Sequence, residues 1–330
     1  MYKIGLVYNE PQKITAAEKK LDPRSYRQPA IIADYIEEAF VTRGHQITRI
    51  PASLNLLQDI LAADGLDVIF NVCTGINSKQ EQANIFALLE LVDIPFVGSG
   101  LSTQATALNK ANANAALAAA GVPISEFQTF FSAEDSLHSN MDFPMFVKPL
   151  HEGSALGITA DSLVENDRDL RQQIKYVIKN FKQPALVEGY LPGREFSVAV
   201  LGTKNPKVLP ITELEVPEEY GTKIQTVDIK AENAIKRICP AEISEELAED
   251  IADTALQAYT ALQCSELARI DVRLDKNGKP NIIEINTMPA LEPGYAHYPL
   301  MAEVGGYSMS DLVETLVTEA IEAWEQKKAA

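Results

Sequence analysis

The stretch ARIDVRLDKNGKPNIIEINTMP, residues 268–289, decides how this chain is read. Two apolar-rich runs flank Asn277-Gly278, the strongest short hairpin signal in a sequence, so the spacing predicts a two-residue type I′ turn pairing Lys276 with Lys279. Counting back along that antiparallel pair sets Asp271 opposite Glu284 and Arg269 opposite Asn286. Period two then points these four side chains to one face, and Ile270, Val272, Leu274, Ile283 and Ile285 to the other. Two carboxylates and an amide oxygen on one face are hard ligands of the kind Mg²⁺ takes, with positions left for waters and nucleotide phosphates. The same pattern describes a half-exposed hairpin with ordinary surface charges, and pattern alone does not choose between the two. Carboxylates directly opposite each other repel unless a cation lies between them.

Composition bounds the partners. A chain of 330 residues has room for two or three domains, and 46% hydrophobic with 23% charged residues is ordinary for a soluble globular protein. A formal charge of −17 argues against a nucleic-acid partner. It leaves room for a small anion, because local lysines, arginines or Mg²⁺ can invert the field within one cleft. Cys73, Cys239 and Cys264 are far apart, without metal-type spacing, and read as buried thiols in a reducing compartment. The N-terminus enters a strand-like run directly, and no window reaches membrane-spanning length, so the expectation is a cytoplasmic protein that meets no membrane.

Residues 1–100 alternate strands (3–8, 46–50, 66–72, 94–97) with helices (30–43, 54–63, 81–92), an order that implies a parallel sheet covered by helices. A long polar insertion at 11–29 interrupts the first crossover. Residues 101–120 read as one Ala-rich helix containing Lys110, stopped by Gly121 and Pro123. An apolar strand then delivers Lys148 to a small-residue loop, 153–157, whose backbone N–H groups can approach phosphate oxygens closely. That loop lacks the Walker spacing and opens no helix, so a P-loop is excluded. Strands at 185–191, 195–201 and 208–214, a polar loop at 217–234 and a helix at 244–262 capped by Ser244 lead into the opening hairpin. A helix over 310–326 closes the chain.

Taken in order, Val97-Gly98-Ser99-Gly100, Lys110 ahead of Ala120-Gly121-Val122-Pro123, FVKPLHEGSALGIT, VEGYLPGREF, CPAEIS and ARIDVRL with IIEINTMP resemble the ATP-grasp superfamily, and within it the D-alanine–D-alanine ligase family. The agreement runs from about residue 94 to the C-terminus. The resemblance implies an α/β and α+β chain: an ATP-grasp fold behind an N-terminal parallel-sheet domain at 1–100, a central domain at 101–183 and a C-terminal domain at 184–330. It implies ATP and Mg²⁺, with Mn²⁺ as a substitute, and two small-molecule substrates: an amino acid, and a carboxylate or carbonyl compound. A homodimer is expected on the same ground. Lys110 and Lys148 fall on the phosphate-contacting lysines, Glu188 and Leu191 on the adenine segment, and Glu195 on the ribose ligand. Arg269 falls on the arginine position, and Asp271, Glu284 and Asn286 on the metal ligands. Ser154 remains of the usual Ser-Ser pair, Lys230 lies near the family's loop lysine, and with Arg269 these are the expected catalytic residues.

The amino-acid pockets match less well. Asn9-Glu10-Pro11 stands where the family has a glycine-rich loop carrying a glutamate, leaving Glu10 and Glu18 as candidates, and Glu81 alone is retained from the segment before the third helix. Beyond Pro289 the family's small hydroxyl residues give way to Glu292-Pro293-Gly294-Tyr295-Ala296-His297. Tyr295 and His297 are read either as loop packing or as substrate contacts; His151, as a solvated residue or a phosphate contact. Three functions are therefore carried forward. The first is a carboxylate–amine ligase of the D-alanine–D-alanine type. The second is a specialised homologue, such as a mycosporine-glycine–amino acid ligase or a dipeptide ligase, towards which the replaced pockets lean. The third, a nucleotide-binding protein without catalysis, is opposed by the second metal carboxylate.

Overall fold

The computed structural model describes residues 1–11, 28–76 and 81–329, so most of the insertion expected at 11–29, Glu18 included, lies outside the described residues. The first sheet runs β2-β1-β3-β4, all parallel, from β1 (Lys3–Tyr8), β2 (Gln46–Pro51), β3 (Val68–Asn71) and β4 (Phe96–Val97). It is buried on both faces, as near-continuous apolar runs such as VIFN require. Ile4, Leu6 and Phe70 pack towards α1 (Gln28–Thr42), while Val7 and Ile69 point to the other face, against α2 (Leu56–Ala62) and α3 (Gln82–Leu89).

The expected helix at 101–120 is two helices, α4 (Leu101–Leu108) and α5 (Lys110–Ala119). Asn109 leaves the helical region (φ −107°, ψ 103°) and its side chain accepts from the Asn112 N–H, so it caps the second helix. Lys110 thereby sits on a first helical turn rather than inside a longer helix.

Two antiparallel sheets follow. One, in the order β5-β8-β6-β7, contains β5 (Phe127–Phe130), β6 (Met145–Pro149), β7 (Leu163–Val164) and β8 (Ala185–Gly189), covered by α6 (Asp167–Phe181). β8 thus belongs to the same sheet as β5, β6 and β7. The other contains β9 (Glu195–Leu201), β10 (Lys207–Val208), β11 (Thr212–Glu215), β12 (Lys236–Ile238), β13 (Leu267–Leu274) and β14 (Pro280–Asn286), ordered β12-β11-β9-β13-β14 with β10 beside β9. A short helix, α7 (Val227–Ala231), interrupts the polar loop, and α8 (Glu245–Ala261) begins at Ser244, whose hydroxyl accepts from the Leu247 N–H.

The hairpin is built differently from its prediction, yet its register survives. Gly278 is left-handed (φ 78°) and Asn277 is not, so the turn is not type I′; Asp275 pairs with Lys279 across three residues. That shifts the pairing by one, to Val272↔Ile282. A bulge next to Asp271 shifts it back, to Asp271↔Glu284 and Arg269↔Asn286. Ile282, 3% exposed, therefore takes the core place expected for Ile283.

After β14 the structure forms α9 (His297–Val304) and then α10 (Met309–Ala329). Tyr298 is a core residue whose hydroxyl donates to the Val200 carbonyl at 2.9 Å. Leu312 and Leu316 of α10 close over the first sheet. Among the described residues no helix is long and apolar enough to cross a membrane.

Glu266 ties the first sheet to the last. Its buried carboxylate accepts from the Gly98 N–H at 2.8 Å and from the Thr203 hydroxyl at 3.0 Å. Burial pushes its pKa up to about 7, Glu319 adding to the effect and the two hydrogen bonds opposing it. Between the unfolded value and 7 the folded protein binds more protons than the unfolded chain, so this contribution is full below about pH 4.5 and lost as pH rises through 7. Glu266→Gln should therefore flatten the loss of stability between pH 5 and pH 8 by up to about 3 kcal/mol. Urea midpoints at both pH values measure it, and identical slopes in variant and parent would contradict the assignment.

Candidate active site

Between the two antiparallel sheets lies a cleft. Lys110, Lys148, Glu188, Leu191, Glu195, Lys230, Arg269, Asp271, Glu284 and His297 all line it. Residues separated by up to 187 positions in the chain thus meet because β6 and β8 supply one wall and β9, β13 and β14 the other.

The cleft is a set of matched charges. Arg269 donates both Nε and Nη2 to Asp271, at 2.9 and 2.7 Å, and the Ser197 hydroxyl donates to the same carboxylate at 3.0 Å. Such a forked pair is the strong form of the interaction. Lys110 Nζ is 3.0 Å from Glu284 and also donates to the Glu152 carbonyl. Lys148 Nζ is 2.6 Å from Glu188, whose other oxygen accepts from Asn114 at 2.9 Å. Asn286 donates its amide to Asp271 at 3.4 Å.

Environment sorts the titratable groups. Burial pushes Glu284 up, but Lys110, Lys148 and Arg269 outweigh it and hold the carboxyl at about 2. Glu195 goes the other way: burial lifts it to about 7, Arg273 opposing and Asp271 adding. The Lys230 ammonium is lowered by burial and then by Arg269, with Asp271 and Glu284 pulling against both. The His297 imidazole is held well below 6.5 by burial and by Arg269, Lys230 and Arg237, so it stays neutral at pH 7. Its Nδ1 is buried and, among the described residues, has no hydrogen-bond partner.

Among the described residues no three His, Cys, Asp or Glu side chains form a metal-holding group. The donor set is instead two carboxylates paired across β13 and β14, with the Asn286 amide alongside. Hard oxygens on an ionised pair, now neutralised by Arg269 and Lys110, suit a hard divalent cation.

Four expected residues do not line the cleft: Asn286, Ser154, Glu81 and Tyr295. Ser154 is exposed in the left-handed region (φ 55°), while its neighbours Gly153 and Ala155 do line it. Glu81 lies at the start of α3, on the first-sheet side. The Tyr295 carbonyl accepts from Arg237. Arg273 and Gln225 are among the lining residues that the sequence did not point to. Arg273 carried a signal, since period two from Arg269 and Asp271 puts it on their face. Gln225 carried none.

The sequence pattern of a family described as "D-ala D-ala ligase C-terminus" matches residues 116–318. An uncharacterized protein, y4sG, of Sinorhizobium fredii is 31% identical over 88% of this chain and 87% of its own length. A D-alanine–D-alanine ligase of Acetivibrio thermocellus is 33% identical over 78% of this chain and 69% of its own. The crystal structure of a Bacillus anthracis D-alanine–D-alanine ligase complexed with ATP has the same fold, with a TM-score of 0.76 at 19% identity, over 99% of this chain and 100% of that one.

Removing one partner of a buried ion pair strands the other. Lys148→Met leaves Glu188 with Asn114 alone and should cost on the order of 3 kcal/mol, of which adding Glu188→Gln recovers a part. Urea unfolding of both variants tests this, and a single variant as stable as the parent would refute it.

Proposed function

The chain belongs to the D-alanine–D-alanine ligase family of ATP-dependent ligases, and from that premise we propose that its cleft phosphorylates the carboxylate of one amino acid and delivers the amine of a second to it. The products are a carbon–nitrogen bond, ADP and phosphate. D-Alanine is the proposed substrate on both sides, after the relatives that carry that name. The specialised homologues and the non-catalytic binder are not favoured by those relatives. The observation that supports the reading best is the meeting, in one cleft, of Lys110 on Glu284, Arg269 on Asp271 and Lys148 on Glu188.

The chemistry assigns each group a task. The segment from Glu188 to Leu191 holds the base and Glu195 the ribose. Lys110 and Lys148 lie where phosphate oxygens arrive, and their charge removes the repulsion between a substrate carboxylate and the γ-phosphate. Asp271, Glu284 and Asn286 would hold Mg²⁺, or Mn²⁺ in its place, which supplies neutralising charge to the transferring phosphoryl. As the amine attacks the acyl phosphate, Arg269 stabilises the tetrahedral oxyanion, with Lys230 beside it. Ser154, Glu81, Tyr295 and His297 are assigned to the amino acids. His297 stands at the reacting end of the cleft, where a substrate can fill its vacant Nδ1 bond. The loops at 153–158 and 217–234 meet through the Val227 N–H and the Ile158 carbonyl at 3.2 Å, and together they keep water from the acyl phosphate. A cytoplasmic homodimer belongs to the same proposal.

A panel of amino acids with ATP and Mg²⁺, read by phosphate release and dipeptide formation, should give its strongest turnover with D-alanine. No amino-acid-dependent phosphate release from any member would sink the ligase reading. Asp271→Asn and Glu284→Gln should each lower turnover by about a thousandfold or more, with unchanged circular dichroism. Normal turnover in either would remove the metal assignment.

A further inference from the structure

Arg273 is a cation in the nucleotide half of the cleft with no task in the scheme above. The residue is 8% exposed, and its guanidinium lies over the Tyr190 ring, 5.3 Å from the centroid. It donates to four groups on three separate pieces of chain. Two are in the turn after β8, the Gly193 carbonyl at 3.2 Å and the Tyr190 hydroxyl at 3.4 Å. The third is Glu195 at 3.3 Å, and the fourth is the Lys223 carbonyl at 3.1 Å, in the segment 221–226 that roofs the cleft. Gln225 of the same segment donates to the other oxygen of Glu195 at 2.8 Å.

The fork geometry decides what this arrangement can do. A planar guanidinium with five fixed N–H donors can hold a carboxylate and two carbonyls at once, whereas an ammonium is a point charge that cannot span them. The roof segment is anchored at its C-terminal end, where Thr226 caps α7 and the Val227 N–H meets the Ile158 carbonyl, and its Ile224 and Thr226 side chains are buried. Towards the wall of β9 and β13 it is held by Gln225 on Glu195 and by Arg273 on the Lys223 carbonyl, Arg273 gripping Glu195 from the neighbouring strand. Ribose hydroxyls arriving at Glu195 meet a carboxylate that Arg273 and Gln225 already share with the roof.

We propose that Arg273 is a positioning residue that couples occupation of the ribose carboxylate Glu195 to closure of segment 221–226 over the nucleotide. The coupling rests on the ligase reading, which supplies the nucleotide. Arg273 touches no reacting atom. It acts through Glu195 and the Lys223 carbonyl, so losing it should separate nucleotide handling from amino-acid handling.

The test uses the full-length protein with Mg²⁺ and ADP, followed by backbone hydrogen–deuterium exchange over 221–226 and by steady-state kinetics. In the parent, ADP should slow exchange in the segment. In Arg273→Ala, exchange should stay fast at saturating ADP, and KM for ATP should rise about tenfold or more while KM for the amino acids stays close to the parent value. Arg273→Lys keeps a charge beside Glu195 without the fork, so it should recover part of KM for ATP but not the protection of the roof. A purely structural role would lower the unfolding midpoint without removing the ADP-dependent change in exchange, and that result would overturn the proposal. Equal protection in parent and variants would overturn it too. A parent that binds no ADP would overturn the ligase reading and this coupling with it, whereas a parent that binds ADP without protecting the roof overturns the coupling alone.

Discussion

Asp271 and Glu284 face each other across β13 and β14, two carboxylates that repel in a low-dielectric cleft. They stay together because Arg269 forks onto one and Lys110 reaches the other from α5. Much of the site follows from this constraint. Lys110 can reach Glu284 because the chain breaks at Asn109 and restarts a helix there, aiming its first turn at β14. Arg269 can fork because strand period puts it on the face of Asp271. Lys148, on β6 in the opposing sheet, adds charge that keeps Glu284 ionised while satisfying Glu188 on its own wall.

The same balance separates two half-buried glutamates, Glu284 and Glu195. Glu284 has Lys110 hydrogen-bonded to it, with Lys148 and Arg269 near, and stays a carboxylate; Glu195 also feels Arg273, Lys230 and Lys148, but Asp271 opposes them and burial prevails. A bound nucleotide and cation would change the charge around both. His297 fits that field as an uncharged group, because protonation would add a further cation beside Arg269, Lys230 and Arg237.

Local chemistry made much of this legible in the chain. Short apolar runs alternating with helical patterns marked the four parallel strands of the first sheet, and the order of short motifs implied the family. The Asp271–Glu284 pairing was predicted through a turn that does not form: the three-residue loop and the bulge each shift register by one, in opposite senses, and cancel. Helix α9 was missed because PGYAHYP carries two prolines and a glycine, and its helicity comes from burying Tyr298 and Met301 against β9 and α10.

What the sequence determined by itself was the element order, the two-faced character of each strand and the inventory of charged residues, because these depend on spacing within one segment. Tertiary structure alone decided which charges meet. Lys110 and Glu284 are far apart in the chain, as are Arg273 and the Lys223 carbonyl, and no periodicity links either pair. Their partnership comes from two sheets packing around a cleft where an unpaired charge would be too costly to leave.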